Sequence, residues 1–273
     1  MGLEDIFNGE EIDLINQVYG PRNGNIVLGT AFRLDFFDRL GLFEESRNHF
    51  SRELGRPFQE RKHAANYLKK EFVDKRVIEL GPGIFGTLNS VRDFAALGAS
   101  EYVGVEPLLP VSNERKGCLW SSEEVKEHFQ NGPATIAVPY ASTRRFEKLT
   151  IPVSVESTHG LAYLLTQPDE SAVIFSSCVF REDALTDVGL PPELAKKYLH
   201  HLVNQIYRVT PKNSITVHAD NTTYIKWEKI FERAGFKLVL LGKGQKPEAN
   251  GMAATELNEL NYVIGNGGII LRK

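Results

Sequence analysis

The chain has 273 residues, of which 42% are hydrophobic and 25% are charged, and its formal net charge is −3. This composition is typical of globular proteins and excludes a disordered or fibrous chain. The slightly acidic balance disfavours nucleic acid as a partner, because binding to phosphates depends on an excess of Lys and Arg.

The distribution of apolar residues predicts an α/β protein with a helical N-terminus. Residues 1 to about 75 are predicted to be mainly helical, because apolar residues recur at helical spacing in FRLDFFDRLGLF and RKHAANYLKKEF. From Lys75 onward, short apolar runs alternate with amphipathic helical patterns, which indicates β-α units and a mainly parallel sheet covered on both faces. The predicted strands are RVIEL (76–80), EYVGVE (101–106), PVSVES (152–157), AVIFSS (172–177), SITVHA (214–219) and KLVLL (237–241). We therefore expect a Rossmann-like, doubly wound sheet of about seven strands.

Two further elements are marked toward the C-terminus. Pro191-Pro192 signals the start of a helix whose core-facing stripe is expected to contain Leu194, Tyr198, Leu202 and Ile206. The chain closes with NYVIGNGGIILRK, where residues 265–268 form a plausible turn. The last segment is expected to enter the sheet as a hairpin or as a single antiparallel strand.

Two segments exceed a minimal α/β repeat. The first is a helical extension or lid over residues 1–70, which precedes a Rossmann-like domain at 71–273. The second is an insertion at about 108–150, within the 46 residues between Glu106 and Val153. The insertion contains a predicted helix at CLWSSEEVKEHF, followed by a stretch predicted to be irregular, NGPATIAVPYASTRR. Either these segments cover the mouth of a ligand site or they only cap the edge of the sheet.

The stretch VIELGPGIFGTLNSV carries the strongest functional signal. Its glycines, Gly81, Gly83 and Gly86, have the spacing G-x-G-x-x-G. A glycine turn between a strand and a helix, here expected from about Thr87, directs backbone N–H groups and a helix dipole toward a ligand, although Pro82 donates no amide. Glu106 ends the second strand 20 residues after Gly86, where a carboxylate can accept from the hydroxyls of an adenosine ribose. Together they predict a site for an adenosyl ligand.

These segments resemble the class I methyltransferases that use S-adenosylmethionine. IELGPG (78–83) is similar to that family's first motif, in which an acid, here Glu79, precedes the G-x-G turn by two residues. YVGVEP (102–107) is similar to the family's second strand, which ends in the ribose-binding acid. THGLAYLLTQPDESAVIFSSCVF (158–180) is similar to the exit of its third strand and to its fourth strand. FERAGFKLVLL (231–241) is similar to a late helix and strand. The resemblance implies S-adenosylmethionine as the cofactor, held by Glu79, Gly81, Pro82, Gly83, Gly86, Glu106, Pro107, His159, Gly160, Ser176 and Ser177.

The chain departs from that family pattern at two positions. Phe85 stands where a third glycine is common, and the glycine moves to Gly86. His159 stands where an acid often faces the adenine. The resemblance therefore implies that adenine is recognised by His159 or by a backbone amide.

The implied activity is methyl transfer to a small-molecule acceptor. The chain has no Asn-Pro-Pro-Tyr stretch, and Cys178 follows Ser177 rather than a proline, so Cys178 is expected to be a small buried residue rather than a nucleophile. An NAD(P)-dependent oxidoreductase is the alternative, because it could use the same glycines and Glu106, although no Tyr-x-x-x-Lys pair occurs. A non-catalytic binding protein on the same fold is the third possibility.

No catalytic residue can be assigned from the sequence. His218 and Asp220 lie near the end of the fifth predicted strand, where open α/β sheets bind their ligands, and are the candidate bases. Asp220 is equally suited to cap the next helix.

The sequence also indicates a compartment. Cys118 and Cys178 are too few and too far apart for a disulfide framework or a thiolate zinc site, so we predict a reducing environment and no metal. The N-terminus carries acids where a signal peptide carries bases, and no segment has the length and apolarity of a bilayer span. We expect a cytoplasmic protein that does not associate with membranes.

Overall fold

The computed structural model describes residues 2–19, 35–42, 61–82, 90, 91, 93–107, 133–139, 146–156, 158–177, 179, 180, 182–187, 189–219, 227–242, 252–265 and 267–273. Its strands are β1 (Arg76–Leu80), β2 (Glu101–Val105), β3 (Pro133–Pro139), β4 (Phe146–Glu156), β5 (Val173–Ser177), β6 (Ile215–Ala219), β7 (Lys237–Leu241) and β8 (Ile269–Arg272). Its helices are α1 (Gly9–Tyr19), α2 (Asp35–Leu40), α3 (Lys62–Phe72), α4 (Gly160–Thr166), α5 (Glu182–Asp187), α6 (Pro192–Val209), α7 (Trp227–Ala234) and α8 (Ala254–Ile264), after a 3-10 turn at Leu3–Asp5. Residues 90, 91 and 93–96 are also helical.

The strands form one sheet in the order β3-β4-β2-β1-β5-β6-β8-β7. The pairs β1–β2, β1–β5, β2–β4 and β5–β6 are parallel. The chain moves outward on one side of β1 through β2 and β4, and then returns to place β5 on the other side. This reversal makes the gap between β1 and β5 a topological switch point, where open α/β sheets bind ligands. The predicted α/β, Rossmann-like, doubly wound fold is confirmed.

Among the described residues the sheet contains eight strands, because the insertion adds an edge strand to the predicted set of about seven. The stretch NGPATIAVPYASTRR was expected to be irregular, but its residues 133–139 form β3, antiparallel to β4. As a consequence, β4 begins at Phe146 and not at residue 152. Thr, Ile and Val favour a strand here, and the prolines at both ends of β3 are tolerated because an edge strand has one unpaired side.

The C-terminal segment enters the sheet as a single antiparallel strand. The residues NYVI belong to α8, and the chain then turns through Gly265 and Gly267, whose φ angles are 68° and 66°. The last strand, β8, lies between β6 and β7 and is antiparallel to both. Of the two predicted alternatives, the single strand is therefore the correct one.

Helices cover both faces of the sheet. One layer contains buried residues of α2, α3 and α8, which pack on the face of the sheet that presents Val77 and Phe175. The other layer contains α1, α4, α6 and α7 and packs on the face that presents Ile78 and Ile174. The predicted stripe on α6, which contains Leu194, Tyr198, Leu202 and Ile206, is buried in this second layer.

The described N-terminal helices thus pack in both layers. The predicted organisation, with an extension at 1–70 and a domain at 71–273, stays a prediction. Within the described part of the chain, no helix combines the length and the apolarity needed to cross a membrane.

Candidate functional site

The candidate site lies at the carboxyl ends of β1, β2, β4 and β5. Gly81 follows β1, Glu106 follows β2, His159 comes three residues after β4, and Ser177 is the last residue of β5. Because parallel strands end at the same edge of a sheet, the fold brings these positions together around the switch point.

The glycine turn begins with a backbone conformation that favours glycine. Gly81 has a φ angle of +62°, and its N–H donates to the carbonyl of Val105 at 2.8 Å, which ties the end of β1 to the end of β2. A Cβ at Gly81 would lie 3.3 Å from Cγ2 of Val179. The left-handed conformation costs an L-residue about 1–2 kcal/mol, so a glycine is expected at this position. Gly83, Phe85 and Gly86 lie outside the described residues.

Glu79 is held below this turn by a buried hydrogen bond. The hydroxyl of Tyr102 donates to Oε2 of Glu79 at 2.6 Å, and the carboxylate is 2% exposed. Glu79 lies opposite Gly104 in the β1–β2 register. A Cβ at Gly104 would lie 3.2 Å from both the Tyr102 hydroxyl and Cγ of Pro82. The missing side chain at Gly104 therefore makes room for both the hydroxyl that binds Glu79 and the proline of the turn.

Glu106 provides a buried carboxylate at the end of β2. The residue is 5% exposed, and its backbone N–H donates to the carbonyl of Glu156 at 2.9 Å. Burial is the main cause of the raised pKa of the Tyr19 hydroxyl, followed by its interactions with Tyr198 and then by the negative charge of Glu106. Pro107 follows Glu106 and is partly buried. The acid predicted from sequence thus stands at the end of β2, next to the turn after β1, and its charge reaches Tyr19 of α1.

His159 caps α4 and lies in a buried aromatic group. Its Nδ1 accepts from the N–H of Ala162 at 3.3 Å and lies 3.0 Å from the hydroxyl of Tyr198. The ring of Tyr19 stacks on the imidazole with centroids 5.2 Å apart. Burial lowers the pKa of His159 to about 4, so the imidazole is neutral near pH 7. Its Nε2 is buried and meets no hydrogen-bond partner within the described ranges.

The two tyrosines of this group were not predicted as site residues. Tyr19 hydrogen bonds to Tyr198, and their ring centroids are 5.3 Å apart. Burial raises the pKa of both hydroxyls. Tyr198 was predicted only as part of the apolar stripe of α6. Its hydroxyl, at an otherwise apolar set of positions, is the sequence feature that could have indicated a polar role. Nothing in the local sequence of α1 indicates that Tyr19 meets residues more than 130 positions away.

Gly160 is closely packed at the start of α4, and Ser176 and Ser177 are buried at the end of β5. A Cβ at Gly160 would lie 3.3 Å from Leu80, so the glycine allows α4 to approach β1 closely. Ser176 is fully buried, and its hydroxyl lies 2.7 Å from Nδ1 of His218. Ser177 is also buried.

His218 belongs to the core and not to an accessible surface. The hydroxyl of Thr216 donates to the carbonyl of Ile174 at 2.8 Å, so it accepts from Nε2–H of His218, also at 2.8 Å. Nδ1 of His218 is then unprotonated and accepts from the hydroxyl of Ser176. The ring stacks on Phe231, and burial lowers its pKa to about 3. These contacts favour a structural role over the predicted role as a base. Asp220 and Cys178 lie outside the described residues.

No protein-family model matches this sequence, and no curated protein gives a significant match. Solved structures with a similar fold include a putative S-adenosylmethionine dependent methyltransferase from Listeria monocytogenes, with 12% identity and a TM-score of 0.41 over 77% of this chain and 96% of that one. An S-adenosylmethionine dependent methyltransferase from Mesorhizobium loti has 14% identity and a TM-score of 0.42, over 78% and 98% of the two chains. The ribosomal protein L11 methylase from Lactobacillus delbrueckii subsp. bulgaricus has 13% identity and a TM-score of 0.40, over 80% of each chain.

Proposed function

We propose that this protein is a methyltransferase that binds S-adenosylmethionine at the switch point and methylates a small-molecule acceptor. The observation that carries the proposal is the buried carboxylate of Glu106 at the end of β2, next to the left-handed turn at Gly81. A carboxylate at the end of the second strand is suited to accept from both hydroxyls of an adenosine ribose.

The remaining predicted residues have complementary roles around the ligand. Gly81 and Pro82 begin the turn, and Gly83 and Gly86 are expected to continue it with backbone donors for the carboxylate tail of the ligand. Pro107, His159 and Gly160 are expected to line the adenine side, because they follow the ends of β2 and β4. Ser176 and Ser177 form the end of β5, and Glu79 supports the turn from below.

S-Adenosylmethionine supplies a methyl group that is already activated by its sulfonium charge. The contribution of the protein is then mainly to bind the cofactor and to orient the acceptor in line with the methyl group. No catalytic base is assigned. The net charge of −3 supports a small-molecule acceptor over a nucleic acid, because a phosphate backbone is bound mainly by clustered positive charge.

The cofactor is tested by calorimetric titration of the protein with S-adenosylhomocysteine and, separately, with NADH. We expect saturable binding of S-adenosylhomocysteine and none of NADH. Glu106→Gln keeps the shape of the side chain and removes its charge, so we expect roughly 10- to 100-fold weaker binding. The matched control is Glu101→Gln at the other end of β2, where Glu101 pairs with Arg76 at 3.1 Å, and this variant should bind normally. Binding of NADH alone would refute the proposal.

The acceptor class is tested with tritium-labelled S-adenosylmethionine in a cell extract separated into small-molecule, protein and RNA fractions. We expect enzyme-dependent label in the small-molecule fraction. Label found only in protein or RNA would contradict the proposed acceptor.

A further inference from the structure

A buried ring nitrogen of His159 has no hydrogen-bond partner among the residues that the structure describes. His159 is 4% exposed, and its Nε2 makes no hydrogen bond with any described part of the chain. Buried polar atoms are nearly always paired, and leaving one unpaired destabilises the protein. This atom belongs to a residue at the carboxyl edge of the sheet, beside Tyr19, where a bound ligand can supply the missing partner.

The hydrogen bonds around His159 determine which nitrogen carries the proton. The N–H of Ala162 can only donate, so Nδ1, which receives it at 3.3 Å, is the unprotonated nitrogen. In a neutral imidazole the proton is then on Nε2. Burial keeps the ring neutral. The unpartnered atom is therefore an N–H donor.

Two tyrosines reinforce the same tautomer. Because Nδ1 is an acceptor, the hydroxyl of Tyr198, 3.0 Å away, donates to it. The oxygen of Tyr198 in turn receives the N–H of Leu161 at 3.4 Å and the hydroxyl of Tyr19. The donors are thus ordered from Tyr19 to Tyr198 to His159, and each hydrogen bond polarises the next one.

We propose that Tyr19 and Tyr198 are positioning residues that hold His159 as an Nε2–H donor, and that this N–H donates to a ring nitrogen of adenine. The identity of the ligand rests on the proposed function. An acid at this position would accept from the exocyclic amino group of adenine, whereas a donor recognises one of the ring nitrogens N1, N3 or N7. The N-terminal helix α1 thereby contributes to ligand recognition through Tyr19, although it lies far from the glycine turn in sequence.

The donor is tested with analogues of S-adenosylhomocysteine in which N1, N3 or N7 of adenine is replaced by CH. We expect one of the three to bind the native protein roughly tenfold more weakly than the parent compound, as for the loss of one hydrogen bond. His159→Phe keeps an aromatic ring for Tyr19 to stack on and removes the donor. In that variant, the parent compound and the sensitive analogue should bind equally. The assignment would be overturned if all three analogues bound the native protein as tightly as the parent compound. It would also be overturned if the sensitive analogue lost the same affinity in His159→Phe as in the native protein.

The positioning role is tested on the ligand-free protein by nitrogen NMR of the histidine rings, with His159→Phe used to assign the signal. We expect the Nε2–H tautomer of His159 in the native protein and a larger share of the other tautomer in Tyr198→Phe and, to a smaller extent, in Tyr19→Phe. The same two variants should bind S-adenosylhomocysteine several-fold more weakly. Tyr262→Phe, on an exposed tyrosine of α8, is the matched control and should change neither readout.

The two proposals fail in different ways. If the native protein does not bind S-adenosylhomocysteine, the proposed function is wrong, while the tautomer measurement still tests the tyrosines. If the compound binds and the His159 tautomer is unchanged in both tyrosine variants, the positioning role is wrong and the proposed function stands.

Discussion

The two buried histidines predict that this protein loses stability in mild acid. Burial lowers the pKa of His159 from 6.5 to about 4 and that of His218 from 6.5 to about 3. As the pH falls through 6.5, the unfolded chain takes up protons at these positions while the folded protein does not. Protonation therefore favours the unfolded state. The stabilisation is complete above pH 6.5 and is lost progressively down to about pH 4 for His159 and about pH 3 for His218.

The size of this effect follows from the two pKa values. One unit of difference corresponds to about 1.4 kcal/mol, and the linkage relation gives a loss of about 2.5 kcal/mol for each histidine between about pH 7 and pH 4.5. Both together amount to about 5 kcal/mol, which is comparable to the whole stability of many domains. The imidazole of His159 packs against Tyr19 and Tyr198, whose hydroxyls stay protonated throughout this range because a phenol ionises only near about pH 10 and burial raises its pKa further.

The prediction is checked by urea unfolding at several pH values between 7 and 4.5. We compare the fall in the free energy of unfolding of the native protein with that of His159→Phe and of His218→Asn. Each variant should show a fall that is smaller by about 2.5 kcal/mol, whatever its stability at neutral pH. His63→Gln is the control, because it removes an exposed imidazole of α3. An identical fall in the native protein and both variants would refute the reasoning.

Two further predictions concern packing near the site and between helices. Gly104→Ala is expected to lower the free energy of unfolding by roughly 1–3 kcal/mol, because the added Cβ would lie 3.2 Å from two neighbouring atoms. Gly9→Ala is the control and should keep its stability, because a Cβ there meets nothing within 4 Å. Equal thermal stability of the two variants would contradict the crowding at Gly104. Glu259→Ala should cost about 1–3 kcal/mol, because the buried carboxylate accepts from the N–H of Ala64 at 2.8 Å and caps α3. The free energy of unfolding is measured by chemical unfolding, with Asn258→Ala on the exposed side of α8 as the control. A loss in Glu259→Ala as small as that in Asn258→Ala would rule out the cap.

The residues that the sequence located best are those defined by local spacing. The ends of β1 and β2 could be predicted because a short apolar run stops at a glycine or an acid, and this pattern gives the positions of Gly81 and Glu106. The partners of these residues could not be predicted. Tyr102 was part of a strand motif, and nothing local shows that its hydroxyl binds Glu79 across the β1–β2 pair. His218 was a candidate base because it lies near a strand end, whereas its hydrogen bonds to Ser176 and Thr216 depend on which strand lies beside β6.

The sequence by itself determined the α/β class, the parallel core strands and the buried stripe of α6, because apolar periodicity decides which face of an element is buried. Only the tertiary structure decided that the insertion adds an edge strand, that Tyr19 of α1 stacks on His159, and that the proton of His159 is on Nε2. These features depend on contacts between residues that are distant in sequence or on hydrogen bonds set by packing. Periodicity carries no information about such pairs, since it describes each element alone.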